Sequence, residues 1–287
     1  MAATKQPNVG WLYYKNYYKG INWHDTKDSK DNKAIFDKAN KEIFEQTLPK
    51  ESPYAYNEFG DKIQYCDLTT TYPGLLIGTG YLHGTGLSGE LKIGFYFDHT
   101  TGLPLIPGSS VKGLLRSMFP LQDKDKEQAN QKIAFIKSML PEGKQDIDIK
   151  KLEREIFGNA NGDNESIKGN DIFHDAIIIK SEHPAHKGFP KACFLSDDYI
   201  TPHKNPKSDG VADMFKNPIP IALLKILPKV TFRFQFVLQD HYYVKENGNY
   251  VEHTFLLTAQ ERLNFYKALL KTIGIGAKTN VGYGQFL

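Results

Sequence analysis

The chain has 287 residues, a net charge of +3 at pH 7 and two cysteines, Cys66 and Cys193. With 40% hydrophobic and 24% charged residues, it has the composition of a globular protein that buries its own core. A net charge this small excludes a strongly basic protein that attracts RNA by its overall field, so any such binding must depend on local groups. Two distant cysteines, no signal-peptide pattern and no run of about 18 apolar residues predict a cytoplasmic protein without a membrane span.

The first 60 residues predict an aromatic segment followed by a helix. Trp11 and several tyrosines are interleaved with Lys15 and Lys19. Aromatics interleaved with lysines either stack on bases and neutralise phosphates, or pack an amphipathic segment, a flap, onto the core. We favour the second interpretation, in which the amino-terminal segment is such a flap. Residues 25–33 alternate in charge without apolar anchors, which indicates a solvated linker. Apolar residues then recur at helical spacing over residues 34–48 and predict a packing helix.

From Cys66 onward the pattern predicts strands separated by turns. A threonine-rich run leads to a turn at Pro73-Gly74, and a second strand is predicted over residues 91–97. His83 lies in the loop between them. Histidine titrates near neutrality and could act as a general base, but a single loop histidine without a visible partner more often stacks or forms hydrogen bonds.

The stretch PGSSVKGLLR, residues 107–116, predicts a helix that begins at an anion site. A Pro-Gly turn precedes Ser109 and Ser110, either of which would cap the helix. Lys112 and Arg116 lie four residues apart, on one helix face. Free N–H groups at such a helix start attract a phosphate, and the two cations behind them would reinforce the attraction.

The last fourteen residues, GIGAKTNVGYGQFL, predict a second anion site. A capping-box pattern at 258–261 and apolar residues at helical spacing predict a helix that leads into them. Glycine allows positive φ or the close approach of another backbone, and successive N–H groups in such a loop form a concave anion site. A phosphodiester chain is the favoured partner, and the alternative is a glycine-rich turn before a closing strand. The residues of this site are Gly274, Gly276, Lys278, Thr279, Asn280, Gly282 and Gly284.

The clearest strand is residues 230–238, where apolar and polar residues alternate strictly. We expect its apolar face to meet the carboxy-terminal helix, and Arg233 on the other face to reach RNA or solvent. Residues 172–179 predict another buried strand, in which His174 and Asp175 point to opposite faces and are structural. Asn247-Gly248 marks a hairpin.

Only His183, His186, Cys193 and His203 form a set that could bind zinc. Beyond the first His-x-x-His pair, their spacing matches no usual zinc site. We therefore predict neither a metal nor a cofactor.

The motifs at 71–80, 107–116 and 274–286 together resemble those of the RAMP superfamily of CRISPR-associated RNA-binding proteins. Within that superfamily the chain most closely resembles the sixth Cmr-type subunit of type III-B effector complexes. The resemblance spans nearly the whole chain. Four further stretches agree with it: NVGWLYY at 8–14, IFG at 156–158, DIFHDAIII at 171–179 and TPH at 201–203.

This resemblance implies an α+β fold of the ferredoxin-like type, also found in RNA-recognition motifs. Its antiparallel sheet would carry helices on one face, with two related halves fused in one body. We expect an amino-terminal segment over residues 1–60 and a RAMP body over 61–287. The two halves of the body would be residues 61–180 and 181–287.

The resemblance also implies a non-catalytic subunit that caps a RAMP filament near the 3′ end of a CRISPR guide RNA, in antiviral defence. Its partners would be the guide RNA, sister RAMP subunits and, through the complex, target RNA, with no membrane contact. The residues implied to lie against RNA are Ser109, Ser110, Lys112, Arg116 and the glycine-rich loop with Lys278.

The alternative is a metal-independent RAMP endoribonuclease that processes guide precursors. Such an enzyme uses the ribose 2′-hydroxyl as nucleophile and needs a general base and a general acid. His83 is the leading candidate, with His24 and Tyr283 as further candidates. The sequence does not show whether these three side chains meet.

Overall fold

A computed structural model describes residues 8–25, 29–49, 63–77, 83–92, 94–120, 124–158, 168–201, 220–246 and 249–287. These residues form six α-helices, ten strands and two short 3-10 turns, at Asn16–Tyr18 and Thr279–Val281. The helices are α1 (Val9–Tyr14), α2 (Lys30–Phe44), α3 (Gly108–Ser117), α4 (Lys126–Met139), α5 (Ile149–Phe157) and α6 (Ala259–Ile273). The strands are β1 (Ile63–Thr69), β2 (Tyr96–Phe97), β3 (Pro104–Ile106), β4 (Ile172–Phe173), β5 (Ala176–Ser181), β6 (Leu195–Ile200), β7 (Ile221–Ile226), β8 (Val230–Val237), β9 (His241–Glu246) and β10 (Asn249–Thr254).

Six strands form one antiparallel sheet in the order β1-β8-β5-β3-β2, with β4 also paired to β8. The predicted α+β class with an antiparallel sheet is confirmed. Strand β8 lies between β1 and β5, so strands from both parts of the chain share this sheet. The boundaries at residues 60 and 180 stay predictions. Strands β6 and β7 pair separately, as do β9 and β10.

The core lies on the face of the sheet that carries the phenylalanines of β8. Phe232, Phe234 and Phe236 are fully buried, as the alternation in the sequence predicts. Each buried phenylalanine stabilises the fold by about 1.5–3 kcal/mol. Helix α6 packs on this face, where the rings of Phe236 and Tyr266 lie 5.3 Å apart. On the opposite face Arg233 donates two hydrogen bonds to Asp67, each of 2.8 Å, and does not extend freely into solvent.

A buried ion pair fastens α6 to the chain just before β4. The Nε of Arg262 lies 3.0 Å from Asp171 Oδ2, and both side chains are fully buried. The Tyr266 hydroxyl donates to the same carboxylate oxygen. Removing one partner of such a pair leaves a buried charge uncompensated and costs about 3–5 kcal/mol. This network holds in place the helix that leads into the glycine-rich loop.

The helix predictions are confirmed, with shifted ends. The capping box at Thr258 and Glu261 forms as predicted and begins α6. Helix α2 begins at Lys30 because the Ser29 side chain accepts the Asn32 N–H, so part of the expected charged linker is helical. Residues 26–28 lie outside the described part of the chain.

Three strand predictions are corrected. The strand predicted over 91–97 is regular only at β2 among the described residues. The strand predicted over 172–179 is divided into β4 and β5, and between them the Asp175 carboxylate accepts the Gly108 N–H at 2.7 Å. The closing strand predicted after the glycine-rich loop is reduced to an isolated bridge between Thr70 and Phe286. Strands β9 and β10 pair as a hairpin, although Asn247 and Gly248 lie outside the described residues.

Candidate nucleic-acid interface

The glycine-rich loop, residues 274–287, packs along the turn at residues 70–77. The Gly284 N–H donates to the Gly74 carbonyl at 2.8 Å, and the Ala277 N–H donates to the Leu76 carbonyl at 2.7 Å. The Thr71 N–H in turn donates to the Gln285 carbonyl at 3.0 Å. The two segments therefore hold each other in a fixed shape.

The glycines of this loop are required by the protein's own backbone. A Cβ at Gly284 would lie 1.9 Å from the Ile275 oxygen, and one at Gly276 would lie 2.3 Å from the Leu76 oxygen. Both residues have positive φ, which side chains rarely adopt. The sequence had suggested that these glycines allow an RNA backbone to approach. For these two positions, the structure shows the approach of a protein backbone instead.

At the tip of the loop three successive N–H groups are open. They belong to Lys278, Thr279 and Asn280, and they make no hydrogen bond to any residue that the structure describes. The backbone of Lys278 has the left-handed conformation, with φ 59° and ψ 35°, and the right-handed 3-10 turn Thr279–Val281 follows it. Left- and right-handed residues in succession turn neighbouring N–H groups toward one side, which forms a concave anion site. We call Lys278–Asn280 the loop nest.

A hydrogen-bonded carboxylate on β6 holds the glycine-rich loop at Tyr283. Asp198 Oδ2 accepts the Tyr283 hydroxyl at 2.7 Å and lies 2.8 Å from Lys225 Nζ. Burial acts to raise the pKa of Asp198, but the hydrogen bonds from Lys225 and Tyr283 outweigh it and lower the pKa. Burial and this carboxylate raise the pKa of Tyr283 to about 12. Tyr283 is thus a structural donor at neutral pH.

The start of α3 differs from its prediction. The cap position is Pro107, and Ser109 and Ser110 lie exposed within the first turn without capping the helix. The prediction that one of these serines is the cap is therefore wrong. The Gly108 N–H is bound by Asp175 Oδ1, so a carboxylate of the protein already occupies part of this anion-binding position.

The two cations of α3 are half-buried. Lys112 Nζ lies 5.9 Å from the centre of the Phe173 ring, and Arg116 Nε is buried without a hydrogen-bond partner among the described residues. No hydrogen bond or ring contact joins residues 107–116 to residues 274–287 in the described ranges. Among the described residues, the two predicted anion sites are therefore not joined to each other by such contacts.

His83 is enclosed by the amino-terminal tyrosines. It is 7% exposed, and its ring stacks on Tyr13 at 4.0 Å and packs on Tyr17 at 4.9 Å. Burial lowers the pKa of His83 to about 4. Tyr13 and Tyr17 are fully buried, as expected of a flap pinned to the core. A ring buried in this way does not reach a ribose, which argues against the candidate role as general base.

The other candidate catalytic residues lie elsewhere. His24 is exposed, whereas Tyr283 is bound to Asp198. No contact between described residues joins either of them to His83. The structure therefore does not assemble the acid–base set that the endoribonuclease alternative needs.

Two of the candidate zinc ligands lie close together. The rings of His183 and His186 are 4.5 Å apart, while Cys193 is fully buried and His203 lies outside the described residues. In the described ranges, no three His, Cys, Asp or Glu side chains are grouped to hold a metal ion. Nor does any helix in those ranges have the length and apolar character to cross a membrane.

Sequence reasoning missed the role of Asp175 at α3. The hydrogen bond spans 67 positions in the chain, so no local spacing could have indicated it. It also missed Tyr72, which is 84% exposed in the turn beside the loop nest. Its position directly before Pro73-Gly74 was the available signal, since residues of a tight turn lie at the surface.

Comparisons with known proteins agree with this fold. The family model of the RAMP superfamily matches residues 67–286. CRISPR system CMR subunit Cmr6 of Saccharolobus solfataricus is 28% identical over 271 residues, covering 91% of this chain and 74% of that protein.

One solved structure shows the same fold. A chain in the cryo-EM structure of the type III-B Cmr-beta bound to cognate target RNA aligns with a TM-score of 0.56 and 23% identity. The alignment covers 96% of this chain and 83% of that chain, and it shows a shared fold. Cmr6 from Pyrococcus furiosus aligns with a TM-score of 0.40 and 21% identity, over 79% of this chain and 98% of that chain.

Proposed function

The chain belongs to the RAMP superfamily, and on this premise we propose that it is a non-catalytic guide-RNA-binding subunit of a type III-B CRISPR effector complex. Similarity to Cmr6 over 91% of the chain supports the choice of subunit. The protein would cap the RAMP filament near the guide 3′ end, in the cytoplasm, and act in antiviral defence. Sister RAMP subunits would be its protein partners, and target RNA would reach it through the complex.

The observation that carries this proposal is the loop nest. Three N–H groups that are unpaired among the described residues, together with the Lys278 ammonium group, offer an RNA phosphate both hydrogen bonds and charge. Contacts to phosphates carry no sequence information, and a guide-binding subunit must accept guides of any sequence. Because the loop is tied to residues 70–77 and to Asp198, little conformational freedom remains to be lost when RNA binds.

The proposed site assigns different roles to its residues. Lys278, Thr279 and Asn280 would contact the phosphate, while Gly274, Gly276, Gly282 and Gly284 would shape the loop around them. At α3, the exposed hydroxyls of Ser109 and Ser110 would contact RNA. Lys112 and Arg116 would contribute charge from half-buried positions.

Copurification from the source organism tests the proposal. The chain would be tagged at its amino terminus, captured under mild conditions and analysed by mass spectrometry and RNA sequencing. We expect several sister RAMP proteins together with repeat-derived guide RNA. Capture of the chain without guide RNA and without sister subunits would overturn the proposal.

The non-catalytic part of the proposal has its own test. The purified chain is incubated with a guide precursor RNA, and the products are resolved on a sequencing gel. We expect intact RNA, because His83 is buried and the other candidates are not joined to it. Specific cleavage that persists in independently purified samples would contradict this part.

A further inference from the structure

An aromatic groove lies on the body between α1 and the turn that follows β2. It has a volume of about 750 Å³ and is lined by residues 96–99 together with Asn8, Gly10, Trp11, Tyr14 and Lys15. Trp11 is 52% exposed and Tyr96 is 38% exposed, although both belong to well-anchored elements. Two large aromatic rings thus line one open cavity of the size that small ligands occupy.

The walls of this groove are locked together before any ligand binds. The Gly10 N–H donates to the Gly102 carbonyl at 3.1 Å, and the Asn8 side chain accepts the Trp11 N–H at 2.8 Å. A Cβ at Gly10 would lie 2.8 Å from Phe97 Cβ, and one at Gly102 would lie 2.3 Å from the Asn8 side chain. The close fit makes the groove preformed, which lowers the entropic cost of binding.

The charges around the groove suit a polyanion. Lys15 is an exposed lining residue and supplies a positive charge, and the exposed His99 supplies a further polar side chain. Among the described lining residues the one carboxylate is Asp98, whose Oδ1 accepts the N–H groups of Thr100 and Thr101 at 2.9 and 2.6 Å. Residues 96–99 also line a second depression of about 440 Å³ that reaches the exposed Ser109 and Ser110. Asp175 lines this depression too, and its carboxylate accepts the Gly108 N–H. The groove therefore continues toward hydroxyl donors.

We propose that this groove binds an unpaired nucleotide of single-stranded RNA, with its base stacked on Trp11 and Tyr96. Lys15 neutralises a neighbouring phosphate, and the strand continues toward Ser109 and Ser110. Aromatic rings next to cations are the combination by which proteins hold single strands without reading sequence. The inference rests on the proposed function and adds to it a second RNA contact, formed by residues other than those of the loop nest. A base held in a duplex does not fit, because its faces are covered by its neighbours.

Tryptophan fluorescence tests the inference directly, because the chain contains only Trp11 and Trp23. In the full-length Trp23→Phe protein all tryptophan emission comes from Trp11. We expect a short oligoriboadenylate to quench this emission, and the same strand in a duplex to quench it much less. Trp11→Ala is expected to weaken single-strand binding about tenfold, since it removes an aromatic face on which the base stacks.

Matched variants distinguish loss of base stacking from effects that any substitution of an exposed tryptophan or lysine would have on RNA binding. Trp23→Ala removes a tryptophan that is 62% exposed outside the groove, and it should leave affinity unchanged. Trp11→Phe should retain more affinity than Trp11→Ala, because it keeps an aromatic face. Lys15→Ala should lower the salt dependence of binding, whereas Lys19→Ala, at another exposed lysine, should not.

The outcomes distinguish this inference from the proposed function. Single-strand binding without quenching of Trp11, and with unchanged affinity in Trp11→Ala, would overturn the proposal that the groove binds RNA. The proposal that the loop nest binds a phosphate would still stand. Equal quenching by the duplex would also overturn the proposal that the groove binds an unpaired nucleotide. Failure of the wild-type chain to bind any RNA would overturn both. Where quenching occurs, photo-crosslinking from Trp11 in the assembled complex and sequencing of the attached RNA would identify the nucleotide as guide or target.

Discussion

The glycine-rich loop and the start of α3 carry similar sequence signals but differ in the structure. Each has glycine, small polar residues and lysine, and each was predicted to bind a phosphate. In the loop, the N–H groups of Lys278, Thr279 and Asn280 are unpaired among the described residues. At α3, the Gly108 N–H is bound by Asp175, and Lys112 is half-buried.

The difference shows that a local pattern is not sufficient to define an anion site. A backbone N–H binds a phosphate only when no other group of the protein has taken it. In the loop the neighbouring segment, residues 70–77, pairs with the flanking residues and leaves the tip open. At α3 a residue distant in sequence enters the position where an anion would bind. Four predictions test this contrast, from the largest expected effect to the smallest.

The largest effect is expected for alanine at a loop glycine. Gly284→Ala should lower the free energy of unfolding by at least about 3 kcal/mol, because φ is +67° and the new Cβ would meet the Ile275 oxygen. Gly113→Ala in α3 is the matched control, since nothing lies within 4 Å of its Cβ position. That control should raise stability by up to about 1 kcal/mol through helix propensity. Urea unfolding measures both, and equal effects would contradict the packing role of Gly284.

The second prediction concerns His83, which belongs to neither of the two compared sites. Its pKa in the folded protein is lowered to about 4, below its ordinary value of about 6.5, so between these values the unfolded chain binds more protons. Stability therefore falls as the pH decreases from 6.5 to 4, and His83 contributes about 3 kcal/mol to this loss. His83→Phe should show a smaller loss of Tm between pH 7 and pH 4.5. An unchanged pH profile would show that His83 is accessible to protons in the folded state.

The third prediction compares the two lysines. Lys278→Gly should weaken RNA binding about fivefold to tenfold and reduce the salt slope by about one. Stability should be retained, because glycine accepts the left-handed conformation of Lys278 without strain. Lys112→Gln should have a smaller effect on affinity because its charge is half-buried.

Filter binding over a salt series measures both lysine variants. Lys150→Ala, at an exposed lysine of α5, is the control and should bind RNA like the wild type. A larger loss for Lys112→Gln than for Lys278→Gly would reverse the contrast between the two sites.

The smallest effect is expected at Asp175. Asp175→Asn keeps a hydrogen-bond acceptor for the Gly108 N–H but removes a negative charge from the start of α3. We expect stability to fall by about 0.5–1 kcal/mol, since the helix dipole favours an anion there. RNA affinity should rise about twofold to threefold, because a phosphate no longer meets a like charge. Unchanged affinity would indicate that the start of α3 does not contact RNA.

Much of the fold could be predicted from the sequence. Strand β8 and helix α6 follow from hydrophobic periodicity, and the capping box at Thr258 marks the beginning of α6. These elements are determined by residues within a few positions of one another. The predictions were less accurate for the ends of α2 and for the strand over 172–179. At these places the side chains of Ser29 and Asp175 accept backbone N–H groups, which periodicity does not reveal.

The candidate site could be predicted in part. The sequence identified Lys278, Thr279 and Asn280, and their N–H groups are the open ones among the described residues. It assigned the glycines to contact with RNA, whereas Gly276 and Gly284 allow contact with the protein's own backbone. It also presented Trp11 only as one of several aromatics. The structure separates the buried Tyr13 and Tyr17 from the exposed Trp11.

By itself, the sequence determined the local elements, the superfamily and the residues around which a phosphate site could form. Periodicity, caps and glycine motifs depend on neighbouring residues, so one chain is enough to recognise them. Tertiary structure decided at which of the two predicted anion sites the backbone N–H groups stay unpaired among the described residues. It also decided which aromatic rings are accessible. Both properties depend on groups that are far apart in the chain, such as Asp175 beside Gly108 and the Leu76 carbonyl beside Gly276. Only folding brings those groups within hydrogen-bonding distance or van der Waals contact.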